Sequence, residues 1–134
     1  SSKIRTYWQR LSKPLLDRFS ICLILSQPND NQPTISHKEL LQMIQNAHSI
    51  ALKRNPNGWK NQYLPTAMLM EICRFDAGCL EKVDQFCAQH QLSMRARIRL
   101  IKLSLTIADA QQSSTIRSCD VSLAIQLSQH NHLP

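Results

Sequence analysis

The sequence predicts a mainly α-helical fold, a bundle built around one central helix and preceded by a short stretch of different character. Three observations predict it. Residues 92–109 (LSMRARIRLIKLSLTIAD) keep an apolar helical period over about five turns. Ser36, Ser93 and Ser118 each stand just ahead of an apolar-periodic run, where a hydroxyl caps the free N–H groups of a helix. Only residues 19–25 (FSICLIL) have the dense branched apolar composition of a buried strand.

In chain order, residues 4–11 read as the end of a helix, with Ile4, Tyr7, Trp8 and Leu11 at helical spacing. Pro14 opens a short helical turn, where a missing N–H costs nothing. The apolar run 19–25 follows as the one convincing strand, with an apolar helix segment as the competing reading. One strand cannot make a sheet, so its partners are expected in a longer chain; a start at Ser1-Ser2 without Met points the same way. Residues 26–35 (SQPNDNQPTI) form a polar linker with two prolines and set the expected boundary between segments 1–30 and 31–134. Ser36-His37-Lys38-Glu39 has the form of a capping box. The helix after it carries Leu40, Leu41, Ile44, Ala47, Ile50 and Ala51 on one face and stops near Arg54, before Asn55-Pro56-Asn57-Gly58. Residues 59–64 connect. Pro65 opens a helix with Met68, Leu69 and Ile72 inward. Asp76 is the expected N-cap of a helix over 77–90, with Leu80, Val83, Phe86 and Cys87 as its apolar face. Ser93 caps the central helix, residues 111–114 loop, and Ser118 caps a last helix with Val121, Ala124, Ile125 and Leu127 inward. The tail 129–134 is expected to fray.

In the central helix, Met94, Ile98, Ile101, Leu105 and Ala108 make one apolar stripe, and Ala96, Leu100, Leu103 and Ile107 a second. Arg95, Arg99, Lys102 and Thr106 run between them, with Arg97 and Ser104 opposite. A helix apolar on two flanks is packed on both sides, so its cationic stripe faces either a groove or, in the plainer reading, solvent.

Composition narrows the function. The chain has 134 residues, 43% of them hydrophobic, enough for one domain with a core. A formal net charge of +7 permits phosphate or nucleic-acid partners without requiring them. Lys3, Arg5, Arg10, Lys13 and Arg18 crowd the start against one acid, Asp17. The cysteines, 22, 73, 79, 87 and 119, are odd in number and contain no CxxC; they read as reduced core residues of a cytosolic protein. The five histidines share no ligand spacing with them, so no metal site is expected. The longest apolar run is too short to span a membrane. With two glycines, Gly58 and Gly78, the chain holds no P-loop or dinucleotide loop, and it carries no GxSxG or HExxH motif. A self-contained enzyme is not expected.

Two blocks resemble a known family. YWQRLSKPLLDRFSI (7–21) looks like the RxSGPLLDRFDI segment of the magnesium-chelatase-like AAA+ ATPases, in particular the ComM/YifB competence-protein group. LSMRARIRLIKLSLTIADAQQSSTIRSCDVSLAIQL (92–127) is similar to that group's LSxRAxxRxLKVARTIADLxxSxxIxxxHLxEAIxYR. Residues 44–54 fit the VxxARExQxxR helix, and Cys73-Arg74-Phe75-Asp76 falls where the family has CxLD or CxLE. The resemblance implies that residues 1–30 end an α/β ATPase core and that 31–134 form its helical lid. It implies that Arg18 is an arginine finger reaching a neighbouring subunit's ATP, where a fixed guanidinium meets charge building on the phosphoryl oxygens. It implies that Arg95 is the sensor-2 residue of the lid, with Arg99 and Lys102 on its face supporting the phosphates or binding an adjacent subunit, or else solvated. ATP and Mg2+ would be bound mainly by the upstream core, in a cytoplasmic homo-hexamer acting on DNA, as in branch migration during natural transformation. The sequence departs from the family at Lys13, Ser20, Leu105 and Leu127-Ser128. Two other functions compete: the motor subunit of a magnesium chelatase, and an autonomous basic helical module binding DNA or protein. Against the last, the most basic helix is also the most apolar-flanked.

Overall fold

The computed structural model describes residues 18–21, 23 and 35–128. The expected helix at 4–11, the turn at Pro14, Cys22, the linker up to residue 34 and the tail from 129 lie outside them. Five α-helices are described: α1 (His37–Arg54), α2 (Thr66–Ile72), α3 (Cys79–Gln89), α4 (Met94–Ala110) and α5 (Ser118–Ser128), with short 3-10 turns at Pro56–Gly58 and Asn61–Tyr63.

α4 is the centre. It packs against α1, α3, α5 and the Asn61–Tyr63 turn. The core is continuous from Leu64 and Leu69 through Val83, Leu100, Ile101 and Leu105 to Ile116 and Val121. Fully burying such side chains contributes about 1.5–3 kcal/mol each, which is why these helices associate. Two connectors are tied together beneath them: the Ile116 N–H donates to the Arg74 carbonyl at 2.7 Å and the Asp76 N–H to the Ile116 carbonyl at 3.0 Å, a parallel bridge of Phe75 with Ile116.

The capping box at Ser36 is present: Glu39 N–H donates to Ser36 Oγ, and Ser36 N–H donates to Glu39 Oε2 at 2.8 Å. The Ser36 hydroxyl also donates to Glu39 Oε2 at 2.7 Å, and this bond with that from the Ser36 N–H holds the Glu39 carboxyl below its usual range. Ser93 caps α4 through the Ala96 N–H at 3.2 Å. Elsewhere the structure corrects the expectations. Asp76 is not an N-cap. Its N–H is committed to the Ile116 bridge, and the chain turns through Gly78 at φ 78°, so α3 starts at Cys79 instead of residue 77. Gly carries that positive φ without a Cβ clash. Ser118 is the first residue of α5, not its cap; the Arg117 N–H is satisfied by the carboxylate of Asp120 at 2.8 Å. Of the stretch expected to be a buried strand, only residues 19–21 and 23 are described; Phe19, Ile21 and Leu23 are exposed and in no strand, and the strand's expected partners lie in a longer chain.

The inward faces are also redistributed. Ser104, placed opposite the cationic stripe, is fully buried and satisfies its hydroxyl on the Leu100 carbonyl at 3.0 Å. Met94, at the first turn of α4, is exposed. Leu40, Leu41 and Ile44 are exposed too; Ala51 is the only buried residue of α1. Cys73, Cys79 and Cys87 are buried free thiols, whereas Cys119 is exposed. No described helix is long and apolar enough to cross a membrane.

Candidate functional site

Because Ser93 fixes where α4 begins, positions 95, 99, 102 and 106 fall on one side of it, at i, i+4, i+7 and i+11. That side borders an open groove: Arg95 and Thr106 stay exposed, and Arg99 and Lys102 are half-buried. With Gln62 from the Asn61–Tyr63 turn and Ser20 they line a cavity of ≈ 330 Å³. Ile98 and Leu103 supply its apolar flanks. Lys102 Nζ donates to the Gln62 carbonyl at 2.9 Å, and burial pushes its ammonium below the usual lysine range. Thr106 Oγ1 donates to the Lys102 carbonyl at 2.8 Å. Arg97, on the other side of the helix, is engaged differently: it is paired with Asp84 at 2.5 Å.

A largely buried polar cluster holds the turn that borders this cavity. Asp109 has no exposed surface and accepts from Arg54 Nη1 at 2.5 Å, Arg54 Nη2 at 2.9 Å and Asn61 Nδ2 at 2.8 Å. Asn61 Nδ2 also donates to Thr106 Oγ1 at 3.1 Å, and Asn61 Oδ1 accepts from Arg54 and from Asn55 Nδ2. Asn55 Nδ2 reaches on to the Trp59 carbonyl at 2.7 Å. The bidentate Arg–carboxylate fork is the strong form of ion pair and fixes orientation as well as distance. It clamps residues 55–63 onto the C-terminal half of α4, and so sets where the Gln62 carbonyl meets Lys102.

Of the residues singled out in the sequence, Arg95, Arg99 and Lys102 therefore come together. Arg18 does not join them. It is exposed in a turn and does not line the cavity, although Ser20, two residues on, does. Sequence reasoning missed Gln62 and the whole Arg54–Asn61–Asp109 cluster. One signal was available: Asp109 lies at the C-terminal end of a helix, where the macrodipole disfavours an acid, so its presence demands a cation. Which cation was not readable, since Arg54 is 55 residues away.

Among the described residues, the cavity's polar lining is three cations, a carbonyl-bearing amide and two hydroxyls, with no carboxylate. Clustered cations against low-dielectric walls concentrate a positive potential and favour a phosphate-like anion. The same donor set does not suit a divalent cation, which takes oxygen ligands such as carboxylates. Among the described residues no group of three or more His, Cys, Asp or Glu is placed to hold a metal ion.

Fold and site together define a helical domain whose central helix turns a cationic edge into a groove. The chain belongs to the family described as the C-terminal part of magnesium chelatase subunit ChlI, whose model matches residues 35–128. No curated protein matches the chain.

Proposed function

We propose that this domain is the helical lid of an AAA+ motor of the magnesium-chelatase type, with its cationic groove turned toward nucleotide phosphates. The observation that supports this reading is the convergence of Arg95, Arg99 and Lys102 on one cavity. Arg95 acts as the sensor-2 contact to ATP in its own subunit, and Arg99 and Lys102 add to the same positive field. Arg18 acts on the neighbour's ATP in a ring of subunits, in keeping with its place on an exposed turn apart from the groove. ATP supplies the phosphoryl group, and Mg2+ is held by carboxylate or hydroxyl ligands outside this domain.

The family's description fits a motor that drives metal insertion into a porphyrin, and that is the first reading of the work done. The second is DNA remodelling by a ComM-like hexamer, favoured by two details: the LSxRA order at residues 92–96 and TIAD at 106–109. The experiment uses the complete ATPase carrying this domain. Arg95→Ala is expected to lower turnover about tenfold to a hundredfold, the loss of one charge-assisted phosphate contact. Arg18→Ala is expected to cost about three to five orders of magnitude. Mixed rings restore part of the Arg18→Ala activity if the residue acts in trans. Parent-like turnover in both variants removes the lid assignment. Porphyrin metallation with partner subunits, set against branch migration of a DNA junction, decides between the two kinds of work.

A further inference from the structure

Among the described residues, Lys102 is the one lysine that lines the cationic groove. Its side chain is half-buried, and its Nζ is tied to the Gln62 carbonyl at 2.9 Å. A tethered amine has given up rotamer freedom before any ligand arrives. Arg99 and Arg95 precede it on the same wall of α4, at i−3 and i−7. Among the described residues no carboxylate lines the groove to favour the ammonium form. Burial pushes that ammonium below the usual lysine range, so a larger share of it is neutral at a given pH.

A lysine amine that is desolvated, or that stands beside other cations, is an activated nucleophile. The reagent that suits the rest of this groove carries phosphate, because a guanidinium fork meets phosphate oxygens two at a time. An acyl phosphate has both parts: a phosphate for the arginines and, one oxygen away, an acyl carbon for the amine. The spacing allows both at once. Side chains three residues apart on a helix start about 5–6 Å from each other, and Arg99 and Lys102 are such a pair.

We propose that Lys102 is an acylation site for small acyl phosphates, with the phosphate held at Arg99 and Arg95. Nζ attacks the acyl carbon and forms the C–N bond of an amide. The bond from that carbon to the bridging oxygen breaks, inorganic phosphate leaves with its electron pair, and the surplus amine proton passes to solvent. The product keeps one N–H, enough for the Gln62 carbonyl, and loses its charge. The three cations of the groove become two. The inference rests on the phosphate-binding part of the lid reading and adds a regulation to it: the acylated domain holds nucleotide phosphates less tightly.

The test incubates the 134-residue chain with acetyl phosphate and follows each lysine by peptide mass spectrometry. Lys38, Lys53 and Lys60 are exposed and line no part of the groove, so they serve as internal references. Lys102 is expected to be acetylated at least about fivefold faster than each of them. An acetyl N-hydroxysuccinimide ester, which carries no phosphate, is expected to show a smaller preference. Arg99→Gln is expected to slow Lys102 at least about threefold with acetyl phosphate and to leave the references as they were. Excess inorganic pyrophosphate is expected to protect Lys102 alone. A Lys102 rate no higher than the references, an equal preference with the ester, no protection by pyrophosphate, or indifference to Arg99→Gln overturns the proposal. If the circular-dichroism melt shows that Arg99→Gln does not fold, the two reagents compared on the parent chain decide it. The nucleotide reading fails separately, on parent-like turnover of Arg95→Ala; an unselective Lys102 beside an impaired Arg95→Ala removes the acylation site only.

Discussion

α1 and α4 look alike along the chain and live differently in the fold. They have 18 and 17 residues, each begins at a serine cap, and each repeats apolar side chains at helical spacing. Yet α4 buries seven residues and α1 buries one, Ala51. The difference is one of surroundings. α4 has neighbours on several sides, whereas α1 meets the bundle mainly near its C-terminal end, through Ala51 and through Arg54 on Asp109. An amphipathic pattern states which face is suited to burial; it does not state what covers that face. The comparison also shows two kinds of attachment. α4 is held by packed side chains on several sides, and α1 adds to its packing on α4 a partly buried ion pair with its amide partners.

The sharpest way to break this comparison is at that ion pair. Asp109→Ala leaves the Arg54 guanidinium and the Asn61 amide without their acceptor, and is expected to cost about 3–5 kcal/mol in urea unfolding. Replacing the pair together by Arg54→Met and Asp109→Leu is expected to cost less than Asp109→Ala alone, because no uncompensated charge remains buried. A double variant as unstable as the single would mean that the cost comes from lost packing at α1 and not from a stranded charge.

Packing is the next test. Ile101 has no exposed surface, and Ile101→Ala is expected to cost about 3–4 kcal/mol. Ile44→Ala, at a surface position of similar chemistry, is expected to stay within about 0.5 kcal/mol. Similar costs at the two sites would mean that α1 is covered in solution.

A pH series sharpens the view of the core beneath. Burial pushes the Cys73 thiol from 9.0 up to about 11. Between those values the folded chain keeps a proton that the unfolded chain releases, so stability is full below pH 9 and falls as pH rises toward 11. The expected loss is at most about 3 kcal/mol. Urea midpoints on either side of that window measure it, and Cys73→Ala is expected to remove that part of the slope.

The smallest effects are at the caps. Ser36→Ala and Ser93→Ala are each expected to cost about 1 kcal/mol. Amide exchange is expected to place the first loss in the opening turn of α1 and the second at the start of α4. Only the second propagates to other helices, because α4 has partners on several sides.

Much of this was legible in the chain. Ser36 and Ser93, Pro65, and the Asn55–Gly58 stop are local rules acting over a turn or less, and they located α1, α2 and α4 closely. The same rules failed at Asp76, where a backbone bridge to Ile116 took precedence over capping. The cationic side of α4 was readable from spacing, and its turning into a groove was one of two readings the spacing allowed. The Gln62 wall and the Arg54–Asn61–Asp109 clamp were not readable, since each joins segments distant along the chain.

The sequence by itself determined which segments are helical, which residues cap them, and that Arg95, Arg99 and Lys102 share one side of α4. Those are consequences of hydrogen bonding and of side-chain period within single segments. Only the tertiary structure decided that this side borders a cavity, that Asp109 and Arg54 neutralise each other, and that Leu40 and Ile44 of α1 are exposed. Such outcomes depend on which surfaces meet across space, and a segment's own residues do not encode what lies opposite.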